Sequence, residues 1–220
     1  MKTIAAVYTA QSLIDPTRAL FAELMPGHRL VNIFDDSLIA DVIRAGYFVT
    51  TDVRRRLASY YRACEDMGAD VILNTCSSMG DVVDQIAPFS RVPILKIDEP
   101  MVRKAVETGA SIAVMMTNPT TIVPTLRLVR SVAGQLGKPV NIVEGLANGA
   151  FEALVEGRPE VHDELLFKAA IAAASEADVV VLAQGSMARM QDAIEQATGL
   201  PVFSSPRLGV LAVRSFLEDS

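Results

Sequence analysis

Residues 69–80 read ADVILNTCSSMG, and residues 177–188 read ADVVVLAQGSMA, 108 positions later and without a gap. The same offset carries TIAAVYT at 3–9 onto SIAVMMT at 111–117, and VPIL at 92–95 onto LPVF at 200–203. A fourth pair, VNIF at 31–34 and VNIV at 140–143, fits with a slip of one residue. Four matched segments in the same order describe a chain made of two similar halves. With 220 residues there is room for two lobes of about 100 residues each. Two similar lobes facing each other have one natural place for chemistry, the cleft between them. At the matching point the first lobe has Cys76 and the second has Gln184.

The repeated segments are short apolar, β-branched runs, each followed by turn residues and a helical stretch. That alternation predicts parallel βαβ units with right-handed crossovers. Strands are expected near 3–9, 29–34, 70–75, 92–97, 111–116, 139–143, 178–183 and 201–204. The fold class is therefore α/β: two similar lobes, each a four-stranded, mostly parallel sheet with flanking helices, related by a pseudo-twofold axis. The clearest helix is 51–67, with Thr51 or Asp52 as its cap, Gly68 as its end, and Leu57, Tyr60, Tyr61 and Cys64 on one stripe. Further helices are expected after residues 15, 81, 101, 121, 162, 188 and 206. The stretch 36–50, interrupted by Gly46, reads as a short helix and a loop over the cleft. Segment 206–218 matches 98–110, so the C-terminal helix is expected to return to the first lobe. The lobes are then residues 1–97 with 206–220, and residues 98–205.

Half of the residues are apolar, Trp is absent and aromatics are few, a mix that suits buried parallel strands under Ala-rich helices. The net charge of −6, with no basic run, argues against nucleic acid and anionic membrane surfaces as partners. No apolar run reaches the length of a membrane span. The opening MKTIAAVYTA reads as a strand and not as a signal peptide, because Gln11 and Asp15 arrive too early. Two cysteines do not make a disulfide framework, which points to a reduced, cytoplasmic setting.

Ligands of open parallel sheets bind beyond the carboxyl ends of the strands. Four strand ends here lead into small polar side chains: Thr9, Gln11 and Ser12; Cys76, Ser77 and Ser78; Thr117, Asn118, Thr120 and Thr121; and Gln184, Gly185 and Ser186. Each group precedes a helix, where backbone N–H groups and the helix dipole favour an anion. Taken singly, each Ser, Thr or Asn is an ordinary helix cap. A thiol in the position of Cys76, beside two serines at a helix start, has surroundings that lower its pKa below about 8.5, and as thiolate it can act as base or nucleophile. Cys64 lies on an apolar stripe and reads as core. His28 and His162 read as solvated surface. Asp35, Asp36, Asp98, Glu99 and Glu144 read as solvated strand-end carboxylates, Glu144 in the place of Asp35, with Asp36 and Ser37 able to reach an amino group. Met79 and Met187 match across the repeat and are expected under the helix starts. Metal-ligand spacings, GxGxxG and Walker loops are absent, so no metal, dinucleotide or other cofactor is indicated.

These residues resemble the aspartate/glutamate/hydantoin racemase superfamily. Cys76-Ser77-Ser78 is similar to the Cys-Asn-Thr that follows a strand of the first lobe there. Ala183-Gln184-Gly185-Ser186 is similar to the Gly-Cys-Thr-His of the second lobe, with Gln in place of the second cysteine. Thr117, Thr120 and Thr121 resemble the turn that holds the substrate carboxylate, and Thr9 and Gln11 stand where the family often has Asp-Ser. The resemblance implies a cofactor-independent enzyme, a small carboxylate or amino acid as substrate, an enolate-like intermediate and a homo-oligomer, dimer or larger. Catalysis then rests on Cys76, with Thr9, Gln11, Ser77, Ser78, Thr117, Asn118, Thr120, Thr121, Gln184, Gly185 and Ser186 binding the substrate. Since Gln184 cannot exchange a proton at neutral pH, two-thiol racemisation is not available. The leading expectation is an Asp/Glu racemase-like isomerase. The alternatives are a one-cysteine decarboxylase, lyase or hydrolase of the same fold, and a non-catalytic small-acid binding protein.

Overall fold

The computed structural model describes residues 1–219, and the chain divides into two compact units, Met1–Asp98 with Pro206–Ser220 and Glu99–Ser205. Each unit is a parallel four-stranded sheet with helices on both faces.

In the first unit the elements run β1 (Thr3–Tyr8), α1 (Ile14–Leu24), β2 (Arg29–Phe34), α2 (Ser37–Arg44), α3 (Thr51–Asp66), β3 (Val71–Asn74), α4 (Gly80–Ile86) and β4 (Ile94–Lys96). The strand order is β2-β1-β3-β4. In this register Ala5 lies beside Val31 and Ile72, and Asn74 lies beside Val7 and Lys96. Side chains alternate between the two faces of a strand. Ala5, Val7, Ile72 and Cys76 pack with Leu38 and Val42 of α2, Leu57, Tyr61 and Cys64 of α3, and Val82 of α4. Ile4, Ala6, Tyr8, Val71 and Leu73 face the other way, onto Phe21 of α1 and onto Val210 and Val213 of the C-terminal helix, Ser205–Glu218. That helix approaches closely at Gly209, where an added Cβ would lie 2.5 Å from Ile97 Cγ1 and 2.8 Å from the Ile97 carbonyl oxygen.

The second unit repeats the plan with α5 (Glu99–Thr108), β5 (Ser111–Met116), α6 (Ile122–Leu136), β6 (Asn141–Leu146), α7 (Ala150–Val155), α8 (Pro159–Ala174), β7 (Val179–Leu182), α9 (Gln191–Thr198) and β8 (Val202–Ser204). Its order is β6-β5-β7-β8, again parallel. Strands β1, β3 and β4 map onto β5, β7 and β8 at the offset of the repeat. The second strands do not follow the slip of one. Val31 pairs with Ala5 and Val143 pairs with Ala113, so VNIV begins one residue ahead of its strand and Glu144 lies within β6, beside Val114, and not at its end.

Three local corrections follow from packing. Thr50 caps α3, accepting from the Val53 N–H at 3.4 Å, because Thr50 is the last residue with extended dihedrals while Thr51 is already helical. Asp98 is buried at 3% exposure, not solvated. His162 is fully buried, not a surface residue. The burial register of α8 explains it: His162, Leu166, Ala170 and Ala173 face inward, as Val53, Leu57, Tyr61 and Cys64 do in α3. His28 is exposed, and Met79 and Met187 are fully buried, as their sequence positions led us to expect. No helix among the described residues is long and apolar enough to cross a membrane.

Candidate active site

In both units the chain leaves the first and third strands through a short 3-10 turn before the α-helix begins. The turns are Gln11–Leu13, Ser77–Met79, Pro119–Thr121 and Gly185–Met190. The residues at the capping positions are Ala10, Cys76, Asn118 and Gln184, and of these side chains only Asn118 caps its turn, accepting from the Thr120 N–H at 3.0 Å. The ordinary helix-cap role therefore does not account for the serines and threonines of these turns.

Cys76 is 8% exposed and takes extended dihedrals at the head of its turn. The Thr9 hydroxyl, the hydroxyl and N–H of Ser78 and the N–H of Met79 lie near enough to its sulfur to favour the thiolate. Burial is the largest influence on the thiol and pushes its pKa up; the donors pull it down without cancelling that effect. This corrects the expectation of a lowered thiol. Desolvation of the thiolate outweighs the turn and favours the S–H form, while donors that favour the charged form lie beside the sulfur. Behind it, Asn74 Nδ2 donates to the Cys76 carbonyl at 2.9 Å, and the Tyr61 hydroxyl donates to Asn74 Oδ1 at 3.1 Å. Ser77 is buried in the same turn, whereas Gln11 is exposed and is not among the groups on the sulfur.

The second unit holds the equivalent turns by a different set of bonds. Gln184 Oε1 accepts from the Thr117 N–H at 3.0 Å, and its Nε2 donates to Thr121 Oγ1 at 3.0 Å. Thr121 in turn donates to the Asn118 carbonyl at 2.7 Å. Thr117, Asn118, Thr120 and Thr121 are all buried, while Gly185 and Ser186 are half-buried. The residue after the first strand thus touches the residue after the third in both units, Thr9 with Cys76 and Thr117 with Gln184. One pair ends in a thiol and the other in a carboxamide with both ends engaged.

Two polar clusters escaped the sequence reading. Asp35 accepts from the Ser37 N–H at 3.0 Å, from the Ser37 hydroxyl at 2.5 Å and from the Tyr60 hydroxyl at 2.7 Å, and Arg56 stands 3.6 Å away. Burial alone would raise its pKa; these donors and the guanidinium outweigh it and hold the carboxyl below the usual range. Ser37 is therefore engaged inside its own unit, and Asp36 is exposed. In the second unit His162 Nδ1 lies 2.8 Å from Asp163, and Arg189 binds both Asp163, at 2.7 Å, and the Ser186 carbonyl, at 2.8 Å. Neither cluster has a spacing that sequence alone would reveal, because each joins a strand end or turn to a helix. Among the described residues no group of three or more His, Cys, Asp or Glu side chains is placed to hold a metal ion.

Comparison with known proteins was made on this basis. A family model described as Asp/Glu/Hydantoin racemase matches residues 7–213. No curated protein is similar enough in sequence to count as a match. Among solved structures, a glutamate racemase isoform from Bacillus anthracis superposes with a TM-score of 0.80 at 12% identity, covering 99% of this chain and 82% of that one. Allantoin racemase from Klebsiella pneumoniae gives 0.70 at 15% identity, covering 99% and 88%. Unliganded arylmalonate decarboxylase gives 0.60 at 15% identity, covering 97% and 92%. At these identities the likeness establishes the fold.

Proposed function

Because the chain belongs to the Asp/Glu/hydantoin racemase family, we propose that it is a cofactor-independent isomerase of a small carboxylate or amino acid, working through an enolate-like intermediate with Cys76 as the proton carrier. The observation that carries this reading is the Cys76 turn, where one buried thiol at a strand end has the Thr9 and Ser78 donors beside its sulfur. A thiolate formed there takes the proton from the α-carbon. The electron pair moves into the adjacent carboxylate, giving a planar enediolate; the new S–H exchanges with solvent, the intermediate turns its opposite face to the sulfur, and the thiol delivers a proton there, which inverts the centre. Hydroxyl and amide donors aimed at such developing charge contribute about 3 kcal/mol each. Thr117, Asn118, Thr120 and Thr121 belong to the turn proposed to hold a carboxylate.

A second reading, one-thiol decarboxylation, is favoured by two features: burial pushes the Cys76 thiol towards its S–H form, and Gln184 has no proton to exchange. When a C–CO2 bond breaks, its electron pair stays on the α-carbon, and an S–H group is already in the state needed to protonate it. The thiolate left behind is held by the same donors and is reprotonated from solvent.

Incubation in deuterated water with glutamate, aspartate, allantoin and an arylmalonate separates the readings. Label at the α-carbon with an inverted centre indicates isomerisation; label with released CO2 indicates decarboxylation. Thermal shifts with one of these acids, without exchange, turnover or any dependence on Cys76, would replace both readings with a binding protein.

A further inference from the structure

Two buried polar side chains behind Cys76 have no counterpart in the second unit. Asn74 and Tyr61 are each 1% exposed. The Cys76 carbonyl can only accept, which sets Asn74 Nδ2 towards it at 2.9 Å. Asn74 Oδ1 then faces Tyr61, whose hydroxyl donates at 3.1 Å. Burial raises the Tyr61 pKa well above 10, so the phenol keeps the proton it donates. The chain of bonds therefore has one direction, from phenol to amide to carbonyl.

In the second unit Leu182 stands at the position equivalent to Asn74, and the inward register of α8 puts Ala170 at the position of Tyr61. Both are fully buried. The same strand, turn and helix are thus built there from apolar side chains alone. Burying an amide and a phenol costs free energy unless both are paired, and the second unit shows that the fold does not require them. They occur in the unit that has the thiol. They also act on a particular atom: the Cys76 carbonyl accepts from the Met79 N–H at 3.0 Å, closing the turn that sets the Ser78 N–H and hydroxyl beside the sulfur.

We propose that Tyr61 and Asn74 are positioning residues that lock the 76–79 turn, keeping its donors on the Cys76 sulfur. This assignment deepens the reading of Cys76 as proton carrier and rests on it, but its test needs no substrate. In a Cys64→Ala background Cys76 is the sole thiol, and its alkylation by iodoacetamide is followed against pH. The plateau rate at high pH reports access, and the midpoint reports where the thiolate forms. Asn74→Leu, which installs the residue of the other unit, is expected to move the midpoint upward and to slow alkylation at pH 7.5 by about threefold. Tyr61→Phe is expected to move it less, in the same direction, and to add nothing in the Asn74→Leu protein. Midpoints that superpose on the parent's, whatever happens to the melting temperature, would overturn the proposal, as would fully additive effects of the two substitutions. Should Asn74→Leu fail to fold, Tyr61→Phe alone decides by the same criterion. A shifted midpoint in a protein that turns over none of the acids tested would leave the relay standing and retire the reaction instead.

Discussion

Replacing Gln184 by Met keeps the length of the side chain and removes both ends of its carboxamide. The structure sets the cost. Thr117 is 3% exposed, and its N–H donates to Gln184 Oε1 at 3.0 Å, so the substitution leaves a buried amide without that partner. A buried donor left unpaired costs about 1–3 kcal/mol. Thr121 loses the bond it accepts from Nε2 but keeps its own donation to the Asn118 carbonyl at 2.7 Å, so its share is smaller, about 0.5–1 kcal/mol. The sum is about 1.5–4 kcal/mol, which for a chain of this size lowers the melting temperature by about 3–16 °C. The assay is thermal melting of Gln184→Met, Thr121→Val and the double variant. Because the two side chains share a bond, their effects should be less than additive, with a coupling of at least about 0.5 kcal/mol. A melting temperature within about 1 °C of the parent's would refute the reasoning. Gln184 would then not brace the turn, and its bonds to Thr117 and Thr121 would carry no stability.

Three other outcomes follow from the same geometry. Thr9→Val removes one donor from the Cys76 sulfur at nearly constant volume. Losing a bond to a charged acceptor reduces the thiolate population by about tenfold, and the higher intrinsic nucleophilicity of the less acidic thiol returns about threefold, so iodoacetamide alkylation at pH 7.5 should slow by about threefold or more. Burial raises the Cys64 thiol to about 11. Between pH 9 and pH 11 the unfolded chain releases this proton and the folded chain keeps it, so stability present below pH 9 should be lost by about 2–3 kcal/mol as pH rises, and Cys64→Ala should flatten that decline in chemical denaturation. Gly209→Ala drives a methyl group against the Ile97 backbone, which cannot swing away, so it should cost about 1–3 kcal/mol in the same assay.

The repeat made most of the fold legible before any coordinates. Seven of the eight strands lie within two residues of their expected bounds, because a buried parallel strand is written as a short continuous apolar run that needs no partner to be recognised. The exception is β6, Asn141–Leu146 against 139–143, where edge position and a half-buried face leave the register to the pairing with β5. The turns were legible too: Thr9, Cys76, Ser77, Ser78, Thr117, Asn118, Thr120 and Thr121 all come out buried at strand ends. The thiol's direction of shift was not. A helix start and neighbouring hydroxyls are visible in a sequence, but the depth of burial that outweighs them is not. Tyr61 was read from its spacing as one more apolar residue of a helical stripe, and Asn74 as the end of a strand; only the fold sets phenol, amide and carbonyl in line. His162 was misplaced for a related reason: most of its sequence neighbours are polar, and only the register of α8, Pro159–Ala174, sets which of them faces inward.

The central claim is that one sulfur, Cys76, carries the proton. The most direct measurement is deuterium exchange at the α-carbon of whichever acid the protein turns over, compared between the parent, Cys76→Ala and Cys64→Ala. The account predicts exchange in the parent and in Cys64→Ala and none in Cys76→Ala. Exchange that persists in Cys76→Ala, at a rate near the parent's, would contradict it.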